Sequence, residues 1–354
     1  MRISCRRITV HTKHPFRIAR AHSSVDGCDV HRVIVRIEHD GTVGYGEAAP
    51  SPFYRQTAES VETVIDRIQR EPAVLGDDAF QIEPVVGRLL NDFDNQRAAV
   101  AAIDAALHDW VGRRLNIPVW RLLGLDGGAI SPTSMTIGID EPSGIRERVT
   151  EAGAFDVLKI KVGTERDAEI LSAVRDEAPD KRLRLDANTA WSADEALDRI
   201  ARLAAFKPEL VEQPLAPGQR QALRRIHEQS PVPIFVDEDC IRPGDIPGWA
   251  GCVTGVNIKL AKCGGIREAL RAIHLARASG LQVMLGCMVE TSLGISAAVH
   301  LASLVDFIDL DGHLLLADDP FDAVRLEGDR VLPTDRPGLG ADASWLFDPR
   351  TAPT

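Results

Sequence analysis

The chain has 354 residues, enough to bury a large core and to divide into two units. Hydrophobic residues make up 44% and aromatics 5%, with Ala, Leu, Val and Ile carrying the apolar mass, as in an ordinary α/β protein. A formal net charge of -11 argues against nucleic acid as a partner, because phosphate-backbone binding depends on concentrated Lys and Arg.

The opening Met1-Arg2-Ile3-Ser4-Cys5-Arg6-Arg7 turns polar before any apolar segment of signal-peptide length, and no later run is long enough to cross a bilayer. A cytoplasmic protein without a membrane partner is expected. Its six cysteines (Cys5, Cys28, Cys240, Cys252, Cys263, Cys287) lack paired metal spacing, so free thiols are expected and a disulfide framework is not.

From Ile3 to about Val10, and again from Val30 to Ile37, β-branched residues alternate with polar ones. The second run passes through Asp40-Gly41 into Thr42 to Gly46, which predicts an antiparallel hairpin sheet. Helical periodicity follows over 58–68, 80–90 and 96–115. After Gly124 to Gly128 the pattern becomes strand, helix, strand, helix. Strands are predicted at 132–137, 156–161, 182–186, 209–212, 233–236, 254–259, 282–286 and 306–311, with helices such as 165–178, 192–204, 264–279 and 291–304 between them. The chain is therefore expected to be α/β, a (β/α) barrel (modified TIM barrel) over 126–321 with an N-terminal α+β capping domain over 1–125. The tail, about 322–354, would complete the cap.

Successive apolar runs in the barrel end in a charge: Lys159 and Lys161, Asp186, Glu212, Asp237, Lys259, Glu290, then Asp309 and Asp311. Parallel strands of a closed barrel aim their carboxyl ends at one mouth, so these charges form a ring around a single cavity. In Leu158-Lys159-Ile160-Lys161 the two lysines share a strand face. Two inward ammonium groups disfavour each other's protonation, and one is expected to fall toward the range where lysine acts as a general base. A pair of outward, solvated lysines is the plainer alternative, suited to an edge strand rather than a central one.

At an effective dielectric near 20, two carboxylates ~4 Å apart repel by ~4 kcal/mol, so Asp186, Glu212 and Asp237 would not stay ionised together without a cation. Oxygen-only ligands favour a hard divalent ion, most simply Mg²⁺. Each acid alone reads better as a helix cap or surface carboxylate; their joint spacing reverses that preference. Lys259 ends the sixth strand, roughly opposite the second, so Lys161 and Lys259 would flank whatever the ion holds. Lys262 reads as a solvated lysine beyond the strand. Gly264-Gly265 is either an anion-receptive turn before a helix or a point of tight backbone packing. Asp309 and Asp311 would share a strand face as a doubly negative spot for a cationic group, or else cap the next turn.

These strings resemble the enolase superfamily, in particular the dipeptide epimerases of its muconate-lactonizing subgroup. The likeness spans nearly the whole chain: the hairpin-and-helix cap, Lys-x-Lys, the Asp, Glu, Asp series, Asn257-Ile258-Lys259-x-x-Lys262-x-Gly264-Gly265 and Asp309-x-Asp311. It implies that Asp186, Glu212 and Asp237 bind one Mg²⁺, that Lys161 and Lys259 are an acid/base pair, and that Lys159 tunes Lys161. A Lys or His base with Mg²⁺ is a known pattern of such sites, and this assignment is a match to it. The likeness further implies that Asp309 and Asp311 receive the α-ammonium of a dipeptide, L-Ala-D/L-Glu being the first choice, and that the loop 16–24 closes over the mouth. Within that loop Arg20 either clamps a side-chain carboxylate or is simply solvated. Thr136 and Glu290 face the site if the strand limits hold.

The implied reaction is a 1,1-proton transfer through an enediolate. One rival is an o-succinylbenzoate synthase or N-acylamino acid racemase, against which Asp309 and Asp311 argue. A sugar-acid dehydratase is opposed by Leu285-Gly286-Cys287-Met288, where its relatives carry histidine. A non-catalytic metal or peptide binding protein would have little reason to keep both lysines in register. Homo-oligomerisation is left open.

Overall fold

The computed structural model describes residues 1–19, 28–348 and 350. Near the N-terminus β1 (Arg2–His11), β2 (Asp29–His39) and β3 (Thr42–Ala48) form an antiparallel sheet in that order. Asp40 and Gly41 both take positive φ (44° and 72°), as the tight two-residue connection between right-twisted strands requires. Helices α1 (Ala58–Arg70), α2 (Ile82–Asp92) and α3 (Arg97–Leu115) pack on the sheet around a core that includes Val33, Val35, Ile65, Leu89 and Ile103. α3 is apolar around most of its circumference and is buried accordingly. Gly44 and Gly46 let it touch the sheet backbone: a Cβ there would meet Ala106 O at 2.1 Å or Ala102 O at 2.2 Å.

A short α4 (Val119–Leu122) precedes the second sheet. Its strands are β4 (Ser134–Ile137), β5 (Val157–Lys161), β6 (Arg182–Asp186), β7 (Pro208–Glu212), β8 (Ile234–Val236), β9 (Gly255–Lys259), β10 (Gln282–Gly286) and β11 (Phe307–Asp309), parallel neighbours in chain order. The ring closes where Thr133 bridges Ile308 in parallel and Thr133 Oγ1 accepts the Leu310 N–H at 2.9 Å.

Between the strands run α5 (Pro142–Glu151), α6 (Asp167–Glu177), α7 (Ala196–Leu203), α8 (Arg220–Gln229), α9 (Leu260–Cys263), α10 (Ile266–Ala278) and α11 (Ser292–Val299). A 3-10 stretch, Pro243–Trp249, stands between β8 and β9. Outward residues such as Leu158, Ile160, Leu185 and Val211 pack under this shell, while Leu210, Phe235 and Met284 cluster with Phe307. Arg184 lies 5.0 Å from the centre of the Phe307 ring.

β12 (Val324–Glu327) and β13 (Arg330–Pro333) form a hairpin, after which the tail reaches the helical cap. Gly338 bridges Pro118, and the Leu339 N–H donates to the buried Asp109 of α3 at 2.7 Å. Asp109 also accepts from the Tyr45 N–H at 2.8 Å, tying sheet, helix and tail together.

One expectation changes here, and one left open is resolved. β11 ends at Asp309, so Asp311 lies in the following turn rather than on the strand. At Gly264-Gly265 the anion is the chain's own: the Ile266 N–H donates to Asp104 Oδ2 of α3 at 2.5 Å, and a Cβ on Gly265 would meet that oxygen at 2.4 Å. Among the described residues no helix is long and apolar enough to cross a membrane.

Candidate active site

A cavity of about 480 Å³ opens between the barrel mouth and the cap. Thr136, Lys159, Lys161, Asp237, Lys259, Asp309 and Asp311 line it from the barrel side. Phe16, Ile18, Val30, Arg32 and the stretch from Pro50 to Pro52 line it from the cap, with Met288, Val289 and Leu315 on the flank. The segment entering this wall is tied to the barrel, with Lys13 N–H donating to Leu315 O at 2.9 Å and Ile139 N–H to Arg17 O at 2.9 Å. Arg20 lies outside the described residues.

The lysines point inward, as strand parity requires. Lys161 is 7% exposed and Lys259 8%, and β5 and β9 are four places apart in the ring, so they face each other across it. Lys161 Nζ donates to Asp186 Oδ2 at 2.7 Å, and Lys259 Nζ to Asp237 Oδ2 at 2.8 Å. The Phe16 ring from the cap lies 5.8 Å from Lys161 Nζ.

Lys159 departs from expectation. Its ammonium lies 2.7 Å from Asp309 Oδ2, 2.7 Å from Glu212 Oε2 and 3.2 Å from Asp186 Oδ2. Burial opposes its charge, but these three carboxylates outweigh burial and hold it well above the ordinary lysine value. Lys259 is likewise raised, burial being overcome by Asp237. The expected downward shift by a neighbouring lysine is thus absent at Lys159, because carboxylates surround it.

Asp186 and Glu212 are paired in register at the ends of β6 and β7, and Asp237 follows β8 directly. All three are buried. Burial raises the Glu212 carboxyl to about 7, aided by the charge of Asp186. Asp186 and Asp237 are lowered despite burial, the first by Lys161 and Lys159, the second by Lys259 and Lys262. Among the described residues no three acidic, His or Cys side chains are spaced as a formed metal cage. Ammonium groups stand between these carboxylates instead. The donor set still suits a hard divalent ion: three carboxylates stand at adjacent strand ends, and Asn188 Oδ1, two residues beyond Asp186, is buried without a hydrogen-bond partner among the described residues.

Lys262 is not solvated. It is 1% exposed, and α9 turns it back beneath the mouth. There Nζ pairs with Asp237 Oδ1 and donates to Asp237 O at 2.6 Å, Asn257 O at 2.9 Å and Cys240 O at 3.1 Å.

Asp309 and Asp311 both reach the cavity but in different states. Asp309 accepts from Ser134 Oγ and Lys159 Nζ, each at 2.7 Å, and is lowered despite burial, chiefly by Lys159. Asp311 accepts the Thr136 N–H at 2.6 Å and is raised to about 6, by burial first and then by the charge of Asp309. The spot is therefore not doubly negative, since Lys159 offsets one of its charges. Glu290 departs from expectation too: it is not among the cavity-lining residues, and it accepts the Met288 N–H at 2.8 Å. Arg32 and Glu47 adjoin it, Glu47 accepting the Thr291 N–H at 3.1 Å at the start of α11.

Sequence reasoning passed over Asn257, whose Nδ2 donates to Glu212 Oε1 at 2.7 Å, and Ser134 beside Asp309. Each stands two residues before a residue already singled out, Lys259 and Thr136, so strand parity alone was a sufficient signal. Asn188 and Glu238 also line the cavity, two residues beyond Asp186 and one beyond Asp237.

Residues 2–124 match the mandelate racemase / muconate lactonizing enzyme N-terminal domain, and residues 144–345 the enolase C-terminal domain-like model. The chain is 39% identical to an L-Ala-D/L-Glu epimerase of Bacteroides thetaiotaomicron over 93% of this chain and 84% of that one. It is 35% identical to a hydrophobic dipeptide epimerase of a Flavobacteria bacterium, covering 96% and 98% respectively. The dipeptide epimerase of Enterococcus faecalis V583, solved with Mg and the dipeptide L-Leu-L-Tyr, superposes with a TM-score of 0.88 at 35% identity, covering 96% of this chain and 98% of that one. With its cap, its ring of eight parallel strands and its facing lysines, the chain belongs to the mandelate racemase / muconate lactonizing enzyme family, within its dipeptide epimerase group.

Proposed function

We propose that this chain is an isomerase that inverts the α-carbon of the C-terminal residue of a dipeptide by 1,1-proton transfer. The observation that carries the reading is the placement of Lys161 and Lys259 on opposite strands of one cavity that Asp311 also lines. One lysine takes the α-proton from one face while the other delivers a proton to the opposite face. Asp186, Glu212 and Asp237 would hold one Mg²⁺, which when bound supplies charge stabilisation for a substrate carboxylate gaining electron density. In this structure two of these carboxylates pair with the proposed bases, Asp186 with Lys161 and Asp237 with Lys259, so each base stands beside the residues that would hold the ion. Asp311 anchors the α-ammonium, with Thr136 orienting it. The six free thiols support a reducing, cytoplasmic setting.

L-Ala-L-Glu is the first substrate to assay. A second reading, hydrophobic C-terminal side chains, is favoured by the apolar wall of Phe16, Ile18, Val30, Met288, Val289 and Leu315. The test is a library of L-Ala-L-Xaa dipeptides incubated with enzyme and Mg²⁺ in D₂O, read by mass spectrometry and chiral separation. Epimerised product carrying one α-deuterium is expected; unlabelled product defeats the two-base mechanism, and no product from any dipeptide defeats the reading.

The elevated Asp311 carboxyl adds a pH dependence. Below about 6 it is protonated and loses its attraction for an ammonium, so KM rises by up to about tenfold per pH unit. The dependence should vanish in Asp311→Asn, measured as KM from pH 5 to 8; a slope surviving in the variant assigns it elsewhere. For folding the sign is opposite: the native carboxyl binds its proton more tightly than the unfolded one, so its contribution to stability declines as pH rises from the ordinary carboxylate value toward 6.

A further inference from the structure

We propose that Arg32 of the cap is a positioning residue of the substrate cavity: its guanidinium clamps the carbonyl of Val289, so that Met288 and Val289 stand as a fixed wall against the substrate's side chain. This deepens the dipeptide reading above and rests on it.

The wall needs holding because the chain that forms it has left regular structure. β10 ends at Gly286 and α11 begins at Ser292, and of the residues between them Cys287, Met288 and Val289 line the cavity. Within the barrel, Glu290 accepts the Met288 N–H at 2.8 Å, and Gly312 lies against Met288 O, where a Cβ would come to 2.2 Å. The cap supplies the remaining hold. Arg32, 257 residues earlier in the chain, donates from Nε to Val289 O at 2.6 Å and from Nη2 to the same oxygen, while Nη1 donates to His31 O at 2.6 Å. Two prongs on one carbonyl fix both the distance and the direction of the loop, which a single donor could not do. At 6% exposure and with backbone oxygens on both sides, this guanidinium is built into the wall.

Charge keeps the clamp in place. Arg32 Nε lies 3.8 Å from Glu47 Oε1, and Glu290 also favours its charge. Both acids converge on the first turn of α11 at Gly294, where a Cβ would meet Glu290 Oε2 at 2.5 Å and Glu47 Cδ at 3.2 Å. There Glu47 accepts the Thr291 N–H at 3.1 Å and the Gly294 N–H at 3.3 Å. Burial, then the charge of Glu290, raises Glu47 to about 8, and burial raises Glu290 as well. Two buried acids thus share one buried cation, so the guanidinium is held where it meets Val289. None of the three belongs to the proposed metal set or to the lysine pair.

Wild type and Arg32→Met are loaded with Mg²⁺ and assayed on L-Ala-L-Ala, L-Ala-L-Met and L-Ala-L-Glu, with kcat and KM read separately from α-proton exchange by NMR in D₂O. Met and Glu side chains are of similar length, so they separate an apolar wall from a carboxylate contact. KM for L-Ala-L-Met is expected to rise about tenfold relative to that for L-Ala-L-Ala, with kcat on L-Ala-L-Ala within about threefold of wild type. Amide exchange over 287–291, followed by mass spectrometry, should quicken. A fall in kcat shared by all three dipeptides, an unchanged ratio of KM values, or unchanged amide exchange overturns the clamp. So does a loss confined to L-Ala-L-Glu, which would mean that Arg32 binds the side-chain carboxylate itself. Because Arg32→Met leaves two buried acids without their cation, Arg32→Met/Glu290→Gln is run beside it and carries the test if the single variant fails to fold. It removes one unbalanced charge, while Gln still offers an oxygen to the Met288 N–H. Discrimination still lost in the double variant supports the clamp; discrimination restored shows that charge balance alone was at stake and overturns it. Wild type inactive on every L-Ala-L-Xaa dipeptide overturns the dipeptide reading and this inference with it. Wild type that is active but does not favour L-Ala-L-Met over L-Ala-L-Ala overturns this inference alone.

Discussion

Lys161→Ala and Lys259→Ala each reduce epimerisation by about 10²- to 10⁴-fold, the range over which a positioned proton donor or acceptor works. The informative part is the asymmetry between them. With Lys161 gone, Lys259 still faces the site from β9 and still reaches the proton of whichever epimer presents it on that side. Each variant should therefore exchange the α-proton of one epimer with solvent while inverting neither, and the two variants should choose opposite epimers. Both epimers are incubated with each variant in D₂O, and label is followed separately in each. Exchange of the same epimer by both variants would mean that the lysines act from one face. Each replacement also breaks a buried ion pair and costs stability, but unfolding would abolish exchange of both epimers alike, so an epimer-specific loss reports on the chemistry.

Lys262→Met lowers stability by about 3–5 kcal/mol, the usual cost of leaving one member of a buried ion pair uncompensated. Methionine keeps the length of the side chain but strips Asp237 of one of its two ammonium partners. It also leaves the carbonyls of Asp237, Cys240 and Asn257 without their shared donor. The loss is concentrated at the junction of β8, β9 and α9, beneath the mouth, so ligand geometry at Asp237 suffers together with stability. Urea unfolding of wild type and variant side by side measures it. A midpoint that does not move would mean that water replaces the ammonium there at little cost.

The strand ends carried most of what could be read in advance. A charge at the end of each apolar run, together with strict two-residue parity, places Lys159, Lys161, Asp186, Glu212 and Lys259 on one side of a parallel ring, because neither property depends on partners distant in the chain. What escaped depends on the chain leaving regular structure. Asp311 stands past the end of β11, so parity no longer governs it. Lys262 looked like a lysine beyond a strand, yet α9 begins immediately after Lys259 and coils it inward. Glu290 sits where β10 has already ended, among Arg32 and Glu47 contributed from more than two hundred residues earlier in the chain. The electrostatic state of Lys159 was misjudged for a related reason: its neighbours in sequence are one lysine and apolar residues, while its neighbours in space are three acids from β6, β7 and β11.

Asp104 has a consequence for how this molecule can be taken apart. The buried amide end of α10 carries a fraction of positive charge, and the group that answers it belongs to a helix more than 150 residues upstream. A fragment beginning after residue 125 would present that end, with its glycine-lined notch, bare to solvent. Such a fragment would be a poor vehicle for grafting new specificities, and redesign of the mouth should vary loops within the intact chain rather than exchange one half for that of a cousin.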